Sequence, residues 1–173
     1  LRDAIQLYDR YGYMRPQAYL ELTRGLYAPG HTASGVEPWQ AYDPRLFAML
    51  YIVGQHYQRP IEVISAFRVP RAGAKKTSNH YLGKAIDFRI QGVPRRALLA
   101  YLDATFSRAG IGWYPNSTFL HLDTRDRSFW WTDTSGKGQS QRVRDRVPRN
   151  KKKGKDSTQQ SIHLSHKALY SRM

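Results

Sequence analysis

The stretch SNHYLGKAIDFRI, residues 78–90, decides the fold of the middle of this chain. Its second half, AIDFRI, alternates apolar and polar side chains, which is the pattern of a strand with one buried face. The three large apolar residues would face a core, and Asp87 would stand on the opposite face beside the small Ala85. Gly83 precedes the strand, where the turn into it often requires a positive φ angle. The sequence therefore predicts a strand that carries one carboxylate on its polar face.

A second strand with polar residues is predicted at FLHLDT, residues 119–124. By the same alternation His121 and Asp123 share one face, with two leucines on the other. His80, Asp87 and His121 would then approach one space from two segments. Two imidazoles and a carboxylate form a facial ligand set suited to zinc with one position open, and zinc with an open position activates water. The residues alone predict a zinc hydrolase.

Single polar residues of this kind more often have structural roles. A histidine at a strand end is usually hydrogen-bonded within the fold, and an aspartate after a glycine usually belongs to a turn. Here such an explanation must account for polar residues in two different strands. The other histidines lie in a loop, near a helix end or in a polar tail, and are interpreted as structural: His31, His56, His163 and His166.

The order of these motifs resembles a known family. Ser-x-His-x-x-Gly-x-Ala-x-Asp followed by His-x-Asp is similar to the zinc peptidases of the D-alanyl-D-alanine carboxypeptidase and murein endopeptidase group, in the LAS metallopeptidase superfamily. The flanking ISAFR, residues 64–68, and GIGWYP, residues 110–115, resemble that family as well. The likeness covers about residues 43–131. It implies an α+β fold of the hedgehog and D-Ala-D-Ala-peptidase type, in which helices flank a small, mostly antiparallel sheet.

The resemblance also implies an activity and a site. His80, Asp87 and His121 would hold one Zn²⁺ per chain, and Arg68 would bind a carboxylate or carbonyl of a peptide with its forked guanidinium. The substrate would be a peptide bond in the stem or cross-link peptides of bacterial peptidoglycan. The protein would then act in the cell envelope, periplasmic or exported.

The general base is where this sequence departs from many members of that superfamily. Residues 116–119, just ahead of His121, contain no acid or histidine. Asp123 is the available substitute, and it would either accept a proton from the zinc-bound water or orient a ligand imidazole. Both roles stay open, and so does an alternative function, a non-catalytic zinc module that binds cell-wall peptides or a protein partner. A basic binder with a structural zinc is disfavoured because structural zinc usually has four protein ligands.

Substrate contacts are expected around the metal site. The candidates, besides Arg68, are Ser78, Tyr81, Trp113 and Trp130. Large aromatic residues in such a setting are either core packing or the wall of a cleft.

Local signals divide the chain into elements. Asp43-Pro44 is typical of a helix start, and an apolar stripe runs on to Tyr57. Other segments are predicted as strand 61–65, helix 94–109, a hairpin of 111–114 and 119–124, a loop over 28–41, and two short helices or a helix and a loop over 1–23, broken at Pro16. These predict an N-terminal extension (1–42), a zinc peptidase core (43–135) and a basic, mobile tail (136–173).

Composition limits the remaining function classes. The 173 residues carry a formal charge of +15 and no cysteine, which excludes disulfides and thiolate ligands. No apolar run is long enough to span a membrane. Much of the positive charge lies in residues 136–173, where a solvated tail is the simplest interpretation and contact with an anionic envelope surface is the sharper one. Nucleic acid is disfavoured as a partner because no nucleic-acid motif accompanies the charge.

Overall fold

The structure is a computed structural model that describes residues 5–27, 40–69, 77–136, 139 and 142–145. Its elements in chain order are helix α1 (Pro16–Leu26), helix α2 (Pro44–Tyr57), strand β1 (Ile61–Ser65), a 3-10 helix (Asn79–Leu82), strand β2 (Ala85–Ile90), helix α3 (Arg95–Thr105), and strands β3 (Ala109–Trp113), β4 (Leu120–Thr124), β5 (Phe129–Asp133) and β6 (Val143–Asp145).

The strands form one sheet in the order β1-β2-β4-β3-β5-β6. β3 and β5 pair in parallel, whereas the other neighbouring strands pair antiparallel. The parallel pair arises because the chain reverses direction after β4 and lays β5 on the other side of β3. The predicted α+β class is confirmed. The sheet is mixed, whereas the sequence predicts a mostly antiparallel one.

Helix α2 begins where the sequence predicts. The Asp43 carboxylate accepts a hydrogen bond from the Arg45 N–H at 3.0 Å, and Pro44 is the first helical residue. Helix α3 is shorter than predicted because Phe106 already has an extended backbone. Side chains of α2 and α3 pack against one face of the sheet in a single core, which includes Leu46, Phe47, Val53, Ile86, Phe88, Leu98, Leu102, Ile111, Leu120 and Leu122.

The N-terminal segment packs into the same core. Its break falls at Pro16, as predicted, and α1 begins there. Leu7 and Tyr19 are buried in the core cluster. The Tyr19 hydroxyl donates to the Tyr42 carbonyl at 3.1 Å, and the Tyr42 hydroxyl donates to the Leu26 carbonyl at 2.9 Å. These bonds tie α1 to the chain just before α2.

Part of the predicted basic tail belongs to the sheet. Its residues 143–145 form β6, which pairs antiparallel with β5. The rest of the tail from residue 146, and residues 28–39 of the predicted loop, lie outside the described residues. Among the described helices, none has the length and apolar character needed to cross a membrane.

Candidate metal centre

The sheet register brings His80, Asp87 and His121 together in a buried cluster. Asp87 on β2 is directly opposite His121 on β4, so both side chains leave the same face of the sheet. His80 reaches this face from the 3-10 helix that precedes β2. His121 Nδ1 lies 2.9 Å from Asp87 Oδ1 and 3.2 Å from His80 Nε2. The three predicted ligands therefore form a candidate metal site.

A short capped helix places His80. The Ser78 hydroxyl accepts a hydrogen bond from the His80 N–H at 3.4 Å. Gly83 ends the helix with φ +62°, and a Cβ there would overlap the Ala41 carbonyl oxygen. The expected positive φ is thus confirmed, and the close approach of the Ala41 backbone gives a second reason for glycine. Ser78, predicted to contact substrate, caps this helix in the structure.

Each histidine is held through the nitrogen that points away from the cluster. His80 Nδ1 lies 2.8 Å from the Ala66 carbonyl, which can only accept a hydrogen bond. His121 Nε2 lies 2.9 Å from Asp123 Oδ2. These acceptors favour protons on the outer nitrogens, so the neutral rings present the lone pairs of His80 Nε2 and His121 Nδ1 to the centre. Such outer partners are typical of metal-binding histidines.

Asp123 is held by three hydrogen bonds on the outer side of His121. Its side chain is 0% exposed. Arg125 donates from Nε to Asp123 Oδ1 at 2.5 Å and from Nη2 to Asp123 Oδ2 at 2.7 Å. Burial by itself would raise the pKa of Asp123, but hydrogen bonds from His121 and Arg125 lower the pKa to about 2. Of the two roles open from sequence, this geometry favours orientation of His121.

The cluster attracts positive charge. Burial would raise the pKa of Asp87, but the His121 and His80 imidazoles, when they carry a proton toward this carboxylate, outweigh burial and hold that pKa well below its usual range. Burial would lower the pKa of His121, but its bonds to Asp123 and Asp87 outweigh burial and raise that pKa. Two carboxylates flanking one imidazole thus favour a cation here, either a proton or a metal ion.

Arg68 stands at the rim of the cluster. Its Nη2 donates to Asp87 Oδ2 at 2.8 Å, and its Nε donates to the Ser65 hydroxyl at 2.7 Å. A register shift in β1 between Val63 and Ser65 sets Ser65 opposite Asp87, in the manner of a β-bulge beside a functional site. The Arg68 side chain is 47% exposed, so its guanidinium faces both the cluster and solvent.

Trp113 and Trp130, which the sequence predicts to contact substrate, do not lie at the metal site. The structure places both on the core side of the sheet. Trp130 belongs to the buried core, and Trp113 packs on its border with the Arg95 guanidinium 4.7 Å from its ring centroid. Trp131 is the tryptophan at the site, with its ring centroid 4.9 Å from that of His121 in an edge-to-face arrangement.

A sequence signal could have found Trp131. In Trp130-Trp131-Thr132-Asp133 the period of two places Trp131 on the same face as Asp133, and a carboxylate is expected on the face away from the core. Gly112, opposite Trp131 on β3, leaves the space that the Trp131 ring occupies. A Cβ at Gly112 would lie 2.6 Å from the Trp131 ring and 2.9 Å from the His121 Cβ.

A groove runs along the β1 edge of the sheet. Its volume is about 1080 Å³, and it is lined by the consecutive residues 60–69, by Gly25 and Leu26 at the end of α1, and by Tyr81 and Gln91. Because the lining residues of β1 are consecutive, the groove runs along the strand edge. Arg68 and Tyr81 lie in its wall, and Arg68 connects it to Asp87.

Comparison with known proteins identifies the family of this chain. Residues 36–130 match the family described as peptidoglycan L,D-endopeptidase MepK. The match covers more than half of the chain, and the chain belongs to this family. The family resemblance predicted from the motifs is thereby confirmed.

Two curated relatives show the extent of the similarity. The chain is 35% identical over 100 residues to the probable peptidoglycan L,D-endopeptidase MepK of Haemophilus influenzae, and the aligned region covers 51% of this chain and 53% of the relative. It is 32% identical over 108 residues to the peptidoglycan L,D-endopeptidase MepK of Escherichia coli K12, and the aligned region covers 53% of this chain and 56% of the relative. The chain thus spans about half the length of these relatives. No solved structure shows significant similarity to it.

Proposed function

We propose that this chain is a zinc metallopeptidase that hydrolyses a peptide bond in the stem or cross-link peptides of bacterial peptidoglycan. The observation that carries the proposal is the convergence of His80 Nε2, Asp87 Oδ1 and His121 Nδ1, each held by a partner on its outer side. The family and the names of both relatives support the substrate class. Their names also favour an L,D bond and an endopeptidase.

The donor set fits zinc. Two neutral imidazoles and one carboxylate are a common protein contribution to catalytic zinc sites, and the fourth position is left for water. When bound, the ion would lower the pKa of that water and polarise the carbonyl that the water attacks. Water supplies oxygen to the carbonyl carbon and a proton to the departing amine as the C–N bond breaks.

The surrounding residues would position the substrate and the ligands. Arg68 holds the outer oxygen of Asp87 and faces solvent at the mouth of the groove, where it would bind a carboxylate or carbonyl oxygen of the peptide. Asp123 would fix the orientation of His121, with Arg125 holding the carboxylate in place. The groove along β1 suits an extended peptide, and Tyr81 lines it.

The wider organisation is part of the same proposal. Residues 43–135 would be the catalytic core, of the hedgehog and D-Ala-D-Ala-peptidase type, with 1–42 as an N-terminal extension. The basic segment 136–173 would contact an anionic surface of the cell envelope, where the enzyme acts in the periplasm or after export. The α+β fold and the family support the first part, and the charge supports the second.

Digestion of purified sacculi tests the function. Zinc-loaded protein should release peptide fragments whose mass spectra and stereochemistry show cleavage of an L,D bond, and His121→Ala should release none. His56→Ala is the matched control, because His56 stacks on Tyr101 in the helical layer and should leave the rate unchanged. Zinc bound with full occupancy, together with binding of wall peptides but no cleavage, would favour the alternative, a non-catalytic zinc module.

A further inference from the structure

We call the face of the sheet that carries Asp87 and His121 the metal face. Strand β3 has almost no side-chain volume on this face. Gly112 lies opposite His121 and Gly110 lies opposite Asp123, so neither position fills the space above the site. Tyr114 follows two residues after Gly112 and by alternation belongs to the same face. It is diagonal to His121, a separation that aromatic side chains can bridge. Tyr114 is therefore the first side chain that this segment offers to the metal face.

A hydrogen bond fixes the Tyr114 hydroxyl near the cluster. The Trp131 indole Nε1–H donates to the Tyr114 oxygen at 3.3 Å, and the same indole contacts the His121 ring. An indole N–H can only donate, so the phenol keeps its own proton for another acceptor. Among the described residues, no acceptor for that proton is observed.

The electrostatic surroundings keep the phenol protonated. Burial raises the pKa of Tyr114 to about 12, with the hydrogen bond from Trp131 lowering it and the charges of Asp87 and Asp133 raising it further. The Arg68 charge lowers it. The hydroxyl therefore stays neutral in the combined field of Asp87 and Arg68.

The other acidic groups on this face are already engaged. Asp123 is held by His121 and Arg125. Asp133 Oδ1 accepts hydrogen bonds from the backbone N–H groups of Ser135 at 2.9 Å and of Arg142 at 3.2 Å. Within the described part of the chain, the Tyr114 hydroxyl is thus a proton donor on the metal face that the fold itself does not use.

We propose that Tyr114 is a further catalytic residue, whose hydroxyl donates a hydrogen bond to the carbonyl oxygen of the scissile peptide bond as negative charge develops there. The inference rests on the proposed peptidase function and deepens it. The tyrosine keeps its proton throughout, so the hydroxyl stabilises the transition state without transferring an atom. Trp131 aims the phenol, and Arg68 approaches from the β1 side of the site.

Tyr114→Phe removes only the hydroxyl. Loss of one such donor should lower kcat roughly 100- to 1000-fold with little change in KM. Zinc content and melting temperature should match the wild type. A phosphinate analogue of the substrate peptide, which mimics the tetrahedral oxyanion, should bind the variant more weakly, whereas the cleavage product should bind equally well. Tyr101→Phe, the same change on helix α3, should leave every measurement unchanged.

Trp131→Phe separates catalysis from positioning. If Tyr114 acts on the substrate, Trp131→Phe should cost less in kcat than Tyr114→Phe, because the phenol remains present. An equal loss in both variants would overturn the inference, since Tyr114 would then serve only to anchor Trp131. Unchanged kcat and phosphinate affinity in Tyr114→Phe would overturn it as well. A wild-type protein that binds zinc and hydrolyses nothing would instead reject the proposed function.

Discussion

Replacing Asp123 by asparagine tests the outer support of the metal site. The carboxylate accepts from His121 with Oδ2 and from Arg125 with both oxygens. Asparagine has one acceptor oxygen, so its NH₂ group must face a donor on one side, and the negative charge behind His121 is lost. Changes of this kind weaken metal binding about 10- to 100-fold, which corresponds to about 1.4–2.7 kcal/mol.

Competition with a chelator at fixed pH measures this change directly. Asp126→Asn is the matched control, because that carboxylate is 97% exposed and should leave the zinc affinity unchanged. In Asp123→Asn the metal affinity and the peptidase rate should fall together. Unchanged zinc affinity combined with a loss of rate of about 100-fold would refute the orienting role and would identify Asp123 as the general base.

Four further outcomes are expected. Alanine at any of the three ligand positions should abolish the binding of one zinc per chain. In the wild type, metal affinity should fall as the pH is lowered from above 6.5, because the raised pKa of His121 lets protons compete with the metal ion at a higher pH. The metal-free protein should lose the stability that protonated His121 contributes as the pH rises through that pKa. Calorimetric titration across pH checks both. Gly112→Ala should lower the free energy of unfolding by about 1–3 kcal/mol and displace Trp131, which denaturation and indole fluorescence would show. Deleting residues 146–173, which spares β6, should preserve zinc content but weaken salt-sensitive sedimentation with sacculi, and loss of activity on a soluble peptide would contradict a targeting role.

The sequence was sufficient to locate the centre of the site because strand periodicity is a local property. The alternation in 85–90 and 119–124 places Asp87, His121 and Asp123 on the face away from the core without any knowledge of how the strands pair. The start of α2 was equally local, since an aspartate cap followed by proline specifies it. Such features need only a few neighbouring residues.

Other features of the site depend on pairing and on side-chain direction. Trp113 and Trp130 looked like cleft residues because β5 and its parallel pairing with β3 were not predicted, so the phase of the two adjacent tryptophans was unknown. The role of Asp123 depends on which nitrogen of His121 faces the cluster. In the structure Nε2 contacts Asp123, which Arg125 also binds, so Nδ1 is the nitrogen that faces the cluster. Local sequence patterns carry no information about either.

The same strand register determines both the packing of the core and the geometry of the metal site. Ser65, Asp87, His121, Gly112 and Trp131 form a row across the sheet, each on a neighbouring strand. A slip of one residue between any two strands would exchange the faces, placing core residues at the metal site and ligands in the core. Burial of the intervening apolar residues resists such a slip, because every exchanged side chain would lose its favourable burial. The hydrophobic face of this sheet therefore contributes to the placement of the metal ligands, although it touches none of the reacting groups.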